Sequence, residues 1–363
     1  MPLVPSYIQK LENYIPGKSI EELQRELGLK TIYKLASNEN SLGPSPKAIE
    51  AISKNLSNIH RYPDVTGYDL RNKLAEKFNV KIKNVILGTG SEGIMSTIMR
   101  TFLLNDDELI SAENSFIGFK VLANASGKKI HWVPMKNYHY DLQAMAQKVS
   151  DYTKIIYIAN PDNPMGTYIN KKDFEAFYKH IPKRVLIILD EAYYEYAKSK
   201  PDYPNSMTYR YDNVITLRTF SKVYGLAGLR IGYGFSHSKL ISNLMKVKEP
   251  FTPSSIALNA GIAAMDDESF LKKTLSTNEI GYNYFKKELQ ILGIKTVASV
   301  ANFITTIWES DNKASQITQD LLNHGVIVRN LKPFGWPNCI RISIGTENEN
   351  KKMISTLKTI ISA

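Results

Sequence analysis

Between about residues 84 and 217, short apolar runs rich in β-branched residues alternate with longer stretches of helical periodicity. Short apolar runs bounded by turn residues are typical of buried strands, and apolar residues three and four apart are typical of helices. Such alternation predicts a mainly parallel sheet covered by helices, an α/β fold. The predicted strands are 84–87, 108–111, 154–159, 184–189 and 213–217, with helices such as 93–104 and 171–181 between them.

The pattern changes at both ends of this region. After about Pro250, long helical stretches precede strands at 303–308, 326–329 and 340–344 and a closing helix. This change predicts a smaller α+β domain. We expect a large domain at residues 41–250 and a small domain formed by 1–40 and 251–363.

Two helix starts are explicit in the sequence. Ser19, with Glu22 three residues later, predicts a capping box in front of a helix at 20–27. Ser45 precedes Pro46, which suits the first position of a helix because its missing N–H costs nothing there.

Composition narrows the class of protein. The 363 residues suit two domains, and no apolar run approaches the roughly 20 residues that span a bilayer. The first 18 residues lack the pattern of a secretory signal, and the single cysteine, Cys339, excludes an internal disulfide and a cysteine metal cluster. We therefore expect a cytoplasmic protein with no membrane partner and no metal. The net charge of +11 comes from scattered lysines, which favours a solvated basic surface over nucleic-acid binding.

Three predicted strand ends carry unusual residues, and ligands of open α/β sheets bind at the carboxyl ends of strands. The first is the string GTGSEG, which lies between a strand and a helix. It satisfies a dinucleotide fingerprint with Glu113 as the ribose-binding acid, so taken alone it favours an NAD-dependent oxidoreductase. A phosphate held by backbone N–H groups near Gly90 to Glu92 is common to several interpretations. A tight turn without a ligand is the remaining alternative.

The other two strand ends carry Asp190 and the string RTFSK. A carboxylate at the exit of a buried strand is costly unless it meets a cation or several donors, although a lone Asp190 is better explained as a helix cap. Thr219, Ser221 and Lys222, with Arg230 eight residues further on, can grip a phosphate and present an amine together. A lone lysine is normally a solvated side chain. The joint occurrence of the three sites in one order favours a shared site.

These strings together resemble the histidinol-phosphate aminotransferase family of fold-type-I pyridoxal-phosphate enzymes over essentially the whole chain. Several of the strings are weak singly, but their order and spacing are highly specific. The NAD interpretation leaves the lysine segment and NPDNPMG without a role, so we set it aside. The strings are KLASNEN (34–40), HRYPD (60–64), GTGSEG (88–93), NPDNPMG (160–166), DEAYYEY (190–196), RTFSKVYGLAGLRIGY (218–233) and IRISIGT (340–346).

The resemblance implies a role for each matching residue. Lys222 holds pyridoxal 5'-phosphate as a Schiff base and shuttles a proton, and Asp190 keeps the pyridine nitrogen protonated. Tyr193 completes the catalytic group and hydrogen-bonds the phenolic oxygen. The other implied residues are Asn163 at the phenolic oxygen and the substrate, Phe116 on the ring face, Gly90, Ser91, Glu92, Thr219, Ser221 and Arg230 around the phosphate, Tyr62 from a neighbouring subunit, Arg341 and Arg329 at substrate anions, and Tyr14 in the side-chain pocket.

The reaction implied by the resemblance is a ping-pong transamination in histidine biosynthesis. Histidinol phosphate and 2-oxoglutarate give imidazole-acetol phosphate and glutamate, in a homodimer with shared active sites. An aminotransferase of phenylalanine or tyrosine is the nearest alternative, and a threonine-phosphate decarboxylase shares much of the scaffold. Outside this class, an NAD-dependent oxidoreductase rests on GTGSEG alone and a nucleic-acid-binding protein rests on charge alone.

Overall fold

The structure is a computed structural model that describes residues 3–13, 20–29, 31–209 and 212–362. Its strands fall into a large central sheet, a smaller sheet and a short pair. In chain order they are β1 (Tyr33–Lys34), β2 (Val85–Gly88), β3 (Glu108–Ala112), β4 (Lys129–Val133), β5 (Thr153–Ala159), β6 (Leu186–Asp190), β7 (Val214–Thr219), β8 (Gly232–Phe235), β9 (Lys295–Val297), β10 (Phe303–Ile307), β11 (Val326–Ile327), β12 (Arg329–Asn330) and β13 (Cys339–Ser343).

Helices alternate with the strands of the central sheet and dominate the last third of the chain. Short 3₁₀ turns lie at Leu56–Asn58, Ile82–Asn84, Ser206–Thr208, Ala227–Leu229 and Lys332–Phe334. The α-helices are α1 (Ser6–Gln9), α2 (Ile20–Leu27), α3 (Pro46–Asn55), α4 (Tyr68–Lys77), α5 (Gly90–Phe102), α6 (Ile117–Ala125), α7 (Leu142–Gln147), α8 (Lys171–Tyr178), α9 (Tyr194–Ala197), α10 (Ser238–Val247), α11 (Ser255–Met265), α12 (Glu268–Ile291), α13 (Asp311–Asn323) and α14 (Glu347–Ser362).

The central sheet has the spatial order β2-β8-β7-β6-β5-β3-β4 within the described ranges. The pairs from β4 across to β7 are parallel, and β8 runs antiparallel to both of its neighbours. The predicted α/β class and mainly parallel sheet are therefore confirmed. Since β5, β6 and β7 are adjacent and parallel, their carboxyl ends meet at one edge of the sheet.

Two strands of this sheet were not predicted. The edge strand β4 is mostly half-exposed and its sequence, KIHWV, mixes polar and apolar residues. The strand β8 contains Gly232 and Gly234, and glycine weakens a strand signal. Gly232 is needed there, because a Cβ on it would lie 2.5 Å from the carbonyl carbon of Gly90 and 2.6 Å from the Ser91 nitrogen.

The helix starts agree with the sequence where the structure describes them. Ser45 caps α3 by accepting a hydrogen bond from the Ala48 N–H, and Pro46 is its first residue. The helix α2 has the predicted bounds. Ser19 lies outside the described residues, so the capping box stays a prediction.

The second sheet has the order β12-β13-β10-β9 and is antiparallel within the described part of the chain. Near it, β1 pairs in parallel with β11, so this strand of the N-terminal segment lies beside the C-terminal region. A separate N-terminal helix, α1, packs against α6 of the central-sheet region. The domain boundaries themselves stay a prediction.

Candidate active site

A cavity of about 300 Å³ opens where β5, β6 and β7 end. Its wall comes from segments that are far apart in sequence and that the parallel sheet brings together at one edge. The predicted site residues that line it are Gly90, Ser91, Glu92, Phe116, Asn163, Asp190, Tyr193, Thr219, Ser221, Lys222 and Arg230.

Lys222 lies three residues after the end of β7 and presents its amine to this cavity. Its Nζ donates to the Ser37 carbonyl oxygen at 3.4 Å and lies 5.7 Å from the centre of the Tyr193 ring. Burial, followed by the positive charge of Arg341, lowers the pKa of Lys222 to about 8. An amine with such a pKa is partly neutral near pH 7, which is the form that attacks a carbonyl carbon.

Asp190, the last residue of β6, is buried with one oxygen satisfied. Tyr157 donates its hydroxyl to Oδ2 at 2.8 Å. The other oxygen, Oδ1, is buried and accepts no hydrogen bond from any residue that the structure describes. Burial raises the pKa of Asp190 to about 7, in spite of the Tyr157 hydrogen bond. A cation or an N–H donor at Oδ1 would remove this cost.

Tyr193 follows closely on Asp190 and closes the side of the cavity next to the second sheet. Its hydroxyl accepts a hydrogen bond from Asn38 Nδ2 at 2.9 Å, and its ring packs edge-on against Phe303. Burial raises the pKa of Tyr193 to about 12, while the charge of Arg341 acts in the opposite direction. The phenol is therefore neutral and keeps a proton to donate.

The turn between β2 and α5 forms a cradle of backbone N–H groups at a helix N-terminus. Gly90 has φ +74°, and a Cβ on it would lie 2.8 Å from Arg230 Nη2. Gly232 on β8 passes so close to the Gly90 and Ser91 backbone that a side chain there would collide with it. Glycine at these positions lets an anion approach the helix N-terminus.

Hydroxyls and a guanidinium complete the cradle. Thr219 Oγ1 donates to Ser221 Oγ at 2.9 Å, and the Ser221 N–H donates to Thr219 Oγ1 at 3.1 Å. Arg230 has φ +50°, a left-handed backbone that is strained for a residue with a side chain. Its Nη2 lies 3.3 Å from Glu92 Oε2, with both side chains about half exposed. A pair so exposed is weak, so the guanidinium stays available to an anion.

Two arginines of the second sheet lie next to each other, and one of them contacts a residue of the cavity wall. Arg329 on β12 and Arg341 on β13 are directly paired across the strands, and the Phe334 ring lies 5.8 Å from both guanidinium groups. Arg341 also donates to the Ala36 carbonyl oxygen at 2.7 Å and to Asn163 Oδ1. Like charges opposite each other on a sheet repel, and an anion placed between them relieves the repulsion.

Some predicted site residues lie away from the cavity of this chain. Tyr62 is 81 % exposed and stacks on Phe251, with 4.3 Å between the ring centres. Arg329 and Arg341 do not line the cavity, although Arg341 reaches Asn163 at its wall. Tyr14 lies outside the described residues.

The sequence interpretation missed several residues of the site. Asn38 and the cavity-lining Ser37 and Glu39 belong to the string KLASNEN, which carried the resemblance without an assigned role. Tyr157 lies on β5, two residues before Ala159, the register partner of Asp190. Because side chains alternate along a strand, this spacing puts Tyr157 on the face of Asp190, so the alternation was a usable signal.

The described part of the chain contains no group of three His, Cys, Asp or Glu side chains that could hold a metal ion. Among the same residues, no helix is both long and apolar enough to cross a membrane.

A lysine and a buried aspartate thus face one cavity beside an anion cradle. The chain belongs to the class I and II aminotransferase family, whose model matches residues 30–357. It is therefore an aminotransferase, and the NAD-dependent oxidoreductase interpretation was rightly set aside.

Within this family, the chain is similar over its whole length to proteins named histidinol-phosphate aminotransferase. The chain is 40 % identical to histidinol-phosphate aminotransferase 1 of Nitrosococcus oceani over 99 % of this chain and 97 % of that one. It is 41 % identical to histidinol-phosphate aminotransferase of Brevibacillus brevis over 96 % of both chains. The crystal structure of histidinol-phosphate aminotransferase from Sinorhizobium meliloti in complex with pyridoxal-5'-phosphate superposes with a TM-score of 0.91 at 28 % identity, covering 100 % of this chain and 98 % of that one.

Proposed function

We propose that this aminotransferase uses pyridoxal 5'-phosphate to convert histidinol phosphate and 2-oxoglutarate into imidazole-acetol phosphate and glutamate. The observation that carries the cofactor assignment is the buried Asp190 Oδ1, which accepts no hydrogen bond from the described residues and lies in the wall of the cavity that holds Lys222. The named function of the relatives supports the choice of substrate.

The residues present fit the proposed cofactor. A pyridinium N–H is the kind of partner that Asp190 Oδ1 lacks, and ionised Asp190 would hold that ring nitrogen protonated. The cradle at Gly90 and Ser91, with Arg230 beside it, suits a phosphate. Phe116 lies at the cavity wall where it can cover a ring face. When bound, pyridoxal phosphate supplies an electron sink for the electrons left at the substrate α-carbon.

The chain's own groups then supply binding and proton transfer. Lys222 Nζ is the amine that would anchor the cofactor and, as a free amine, would take the proton from the substrate α-carbon. Its pKa of about 8 suits both tasks near neutral pH. Tyr193 and Asn163 would donate hydrogen bonds to the phenolic oxygen of the cofactor. Arg341 already holds Asn163 Oδ1, which leaves the amide nitrogen as the donor for the cavity.

Anion recognition is the part of the proposal that selects histidinol phosphate over phenylalanine. A phosphate monoester is dianionic near neutral pH and can accept hydrogen bonds from two guanidinium groups, each charge-assisted bond contributing roughly 1.5–3 kcal/mol. Arg329 and Arg341 are paired across the strands. Phenylalanine, with one carboxylate and an uncharged ring, gains little from Arg329. The aromatic aminotransferase remains the alternative that the test must exclude.

Steady-state kinetics with 2-oxoglutarate test the substrate. Histidinol phosphate should have a larger kcat/KM than phenylalanine or tyrosine, and Arg329→Ala should lower it about 10- to 100-fold while phenylalanine turnover changes much less. Lys332→Ala, which removes an exposed positive charge on the adjacent turn, is the matched control. Equal losses for both substrates in Arg329→Ala, or a preference for phenylalanine, would replace the proposal with the aromatic alternative.

The proposal includes a homodimer with shared sites in the cytoplasm, a large domain at 41–250 and a small domain at 1–40 and 251–363. Tyr62 does not line the cavity of its own chain, and with Ile59 and Phe251 it belongs to an exposed apolar patch. Apolar patches of this kind mark interfaces. A neighbouring subunit's Tyr62 hydroxyl would then complete the phosphate cradle.

Subunit mixing tests the shared site. Tyr62→Ala and Lys222→Ala homodimers should each have low activity, and a mixture refolded together should regain activity because one site of the hybrid holds both intact residues. Tyr62→Phe in place of Tyr62→Ala separates the hydroxyl from the ring. No gain on mixing, with hybrids demonstrated by mass spectrometry, would show that each site is built from one chain.

A further inference from the structure

A buried hydrogen-bonded network of Ser115, Tyr140 and Asp162 lies behind the cavity wall. We call it the Ser115 network. The Tyr140 hydroxyl accepts from the Ala159 N–H at 2.9 Å and lies 2.6 Å from Ser115 Oγ. Ser115 donates to Asp162 Oδ1 at 2.6 Å, and the Met165 N–H donates to Oδ2 at 3.0 Å. A hydroxyl has one proton, so Ser115 accepts from Tyr140. The network therefore runs from the backbone of β5 to the Asp162 carboxylate.

The fold does not need a charge at this place. Asp162 is 1 % exposed, and its burial raises the pKa of the carboxyl to about 7. Three apolar side chains could fill the same volume without the cost of removing a carboxylate from water. What the polar network adds is a set of short, directed contacts that permit one arrangement of the segments they join.

Those segments carry two residues of the active site. Ser115 immediately precedes Phe116, and Asp162 immediately precedes Asn163. They follow the neighbouring parallel strands β3 and β5. The bond from Ser115 to Asp162 thus links the wall that carries Phe116 to the wall that carries Asn163. On its other side Asn163 is held by Arg341, which donates to its Oδ1.

We propose that the Ser115 network positions Phe116 for the face of the cofactor ring and Asn163 for its phenolic oxygen. This inference rests on the proposed function, in which the Asn163 amide donates to the phenolic oxygen. Such a hydrogen bond weakens the attraction of that oxygen for the proton on the cofactor-linked Lys222 nitrogen, so it lowers the pH at which the proton is lost. Displacing Asn163 raises this pH, and a loss of stability alone does not.

The pH titration of the near-visible absorption band of the pyridoxal-phosphate-loaded enzyme measures this directly. For Ser115→Ala we expect the midpoint to rise by about 0.5–1 pH unit. We also expect the dissociation constant of the cofactor to rise roughly tenfold. Tyr140→Phe keeps the bond from Ser115 to Asp162 and should shift both values less. Ser115→Thr keeps the hydroxyl and should restore both.

Thr153→Ala is the matched control, because it removes a buried hydroxyl at the opposite end of β5. Thr153 Oγ1 accepts from the Ser150 N–H at 2.8 Å, far along the strand from the cavity. It should lower the melting temperature and leave the titration unchanged. If Ser115→Ala behaves like Thr153→Ala while the unaltered enzyme titrates, the inference is overturned and the proposed function stands. If the unaltered protein shows no band with pyridoxal phosphate, both fail.

Discussion

The two faces of the sheet at the end of β6 carry adjacent carboxylates with opposite environments. On one face, Glu191 is 1 % exposed and its Oε2 accepts a hydrogen bond from Arg218 Nε at 2.9 Å, while Arg218 Nη2 lies 2.8 Å from the same oxygen in the ion pair. The Arg218 guanidinium is fully buried, 3.3 Å from the centre of the Tyr194 ring and 4.9 Å from that of Phe78. On the other face, Asp190 lines the cavity. Each carboxylate has one buried oxygen that accepts no hydrogen bond from the described residues, but only that of Asp190 belongs to a residue of the cavity wall.

The difference separates a structural charge from a functional one. Glu191 and Arg218 neutralise each other inside the fold, so their interaction acts on the stability of the folded state. Asp190 instead has an oxygen, Oδ1, that can accept a hydrogen bond from a ligand in the cavity. Perturbed ionisable groups collect at functional sites, and here the position in the cavity wall indicates which of the two buried carboxylates belongs to the site.

The largest expected effect is the loss of turnover in Asp190→Asn. A neutral amide cannot hold the ring nitrogen protonated, and three pKa units of lost ring protonation correspond to about 4 kcal/mol, or roughly a 10³-fold lower kcat. Absorbance should show that pyridoxal phosphate still binds. Turnover near that of the unaltered enzyme would remove Asp190 from its proposed role.

Glu191→Gln should act on stability instead. Arg218 would remain buried without its counter-charge, which costs about 3–5 kcal/mol in the free energy of unfolding. Turnover per folded molecule should fall far less than in Asp190→Asn. Urea denaturation measures the first quantity and active-site titration the second. The double variant with Arg218→Met should recover part of the stability, and a Glu191→Gln protein that is stable but inactive would abolish the distinction between the two faces.

The pH dependence of the stability of the cofactor-free protein should show the contribution of the Asp190 carboxyl. The pKa of Asp190 is raised to about 7 in the folded protein, against about 3.9 in an unfolded chain. The folded state then holds a proton that the unfolded state has lost, so stability is lost as pH rises from about 4 through 7, by at most about 1.4 kcal/mol per pH unit. Asp190→Asn should remove this contribution. Denaturant unfolding at several pH values measures this. The same slope of unfolding free energy against pH in the unaltered protein and in Asp190→Asn would contradict it.

The smallest effect contrasts two arginines twelve residues apart. Arg230→Lys should change the stability of the cofactor-free protein by less than about 1 kcal/mol, because its pair with Glu92 is half exposed. Loss of its planar fork should raise the dissociation constant of pyridoxal phosphate roughly tenfold. Arg218→Lys serves as the opposite control, with stability reduced and cofactor affinity changed less. Fluorescence titration of the cofactor measures both variants.

The sequence predicted those parts of the site that lie within short strings. Lys222, Thr219 and Ser221 sit together after an apolar strand, and Asp190 ends another, so strand ends in a parallel sheet were enough to bring them to one edge. The cradle near Gly90 followed from the spacing of its glycines.

Contacts between distant segments could not be predicted from the sequence. The Arg218 and Glu191 pair depends on strand register, and the Ser115 network depends on how two loops leave neighbouring strands. The strand β8 was not predicted because Gly232 is a poor strand former. Its close contact with the Gly90 and Ser91 backbone requires glycine, so tertiary packing overrides strand propensity here.

The attachment of the cofactor to Lys222 is the claim on which the rest depends. Borohydride reduction of the enzyme incubated with pyridoxal phosphate, followed by digestion and mass spectrometry, fixes the cofactor to whichever amine holds it. The account predicts one phosphopyridoxyl group per chain, on the peptide that contains Lys222, and none on that peptide in Lys222→Ala. A stoichiometric label on another lysine would contradict it.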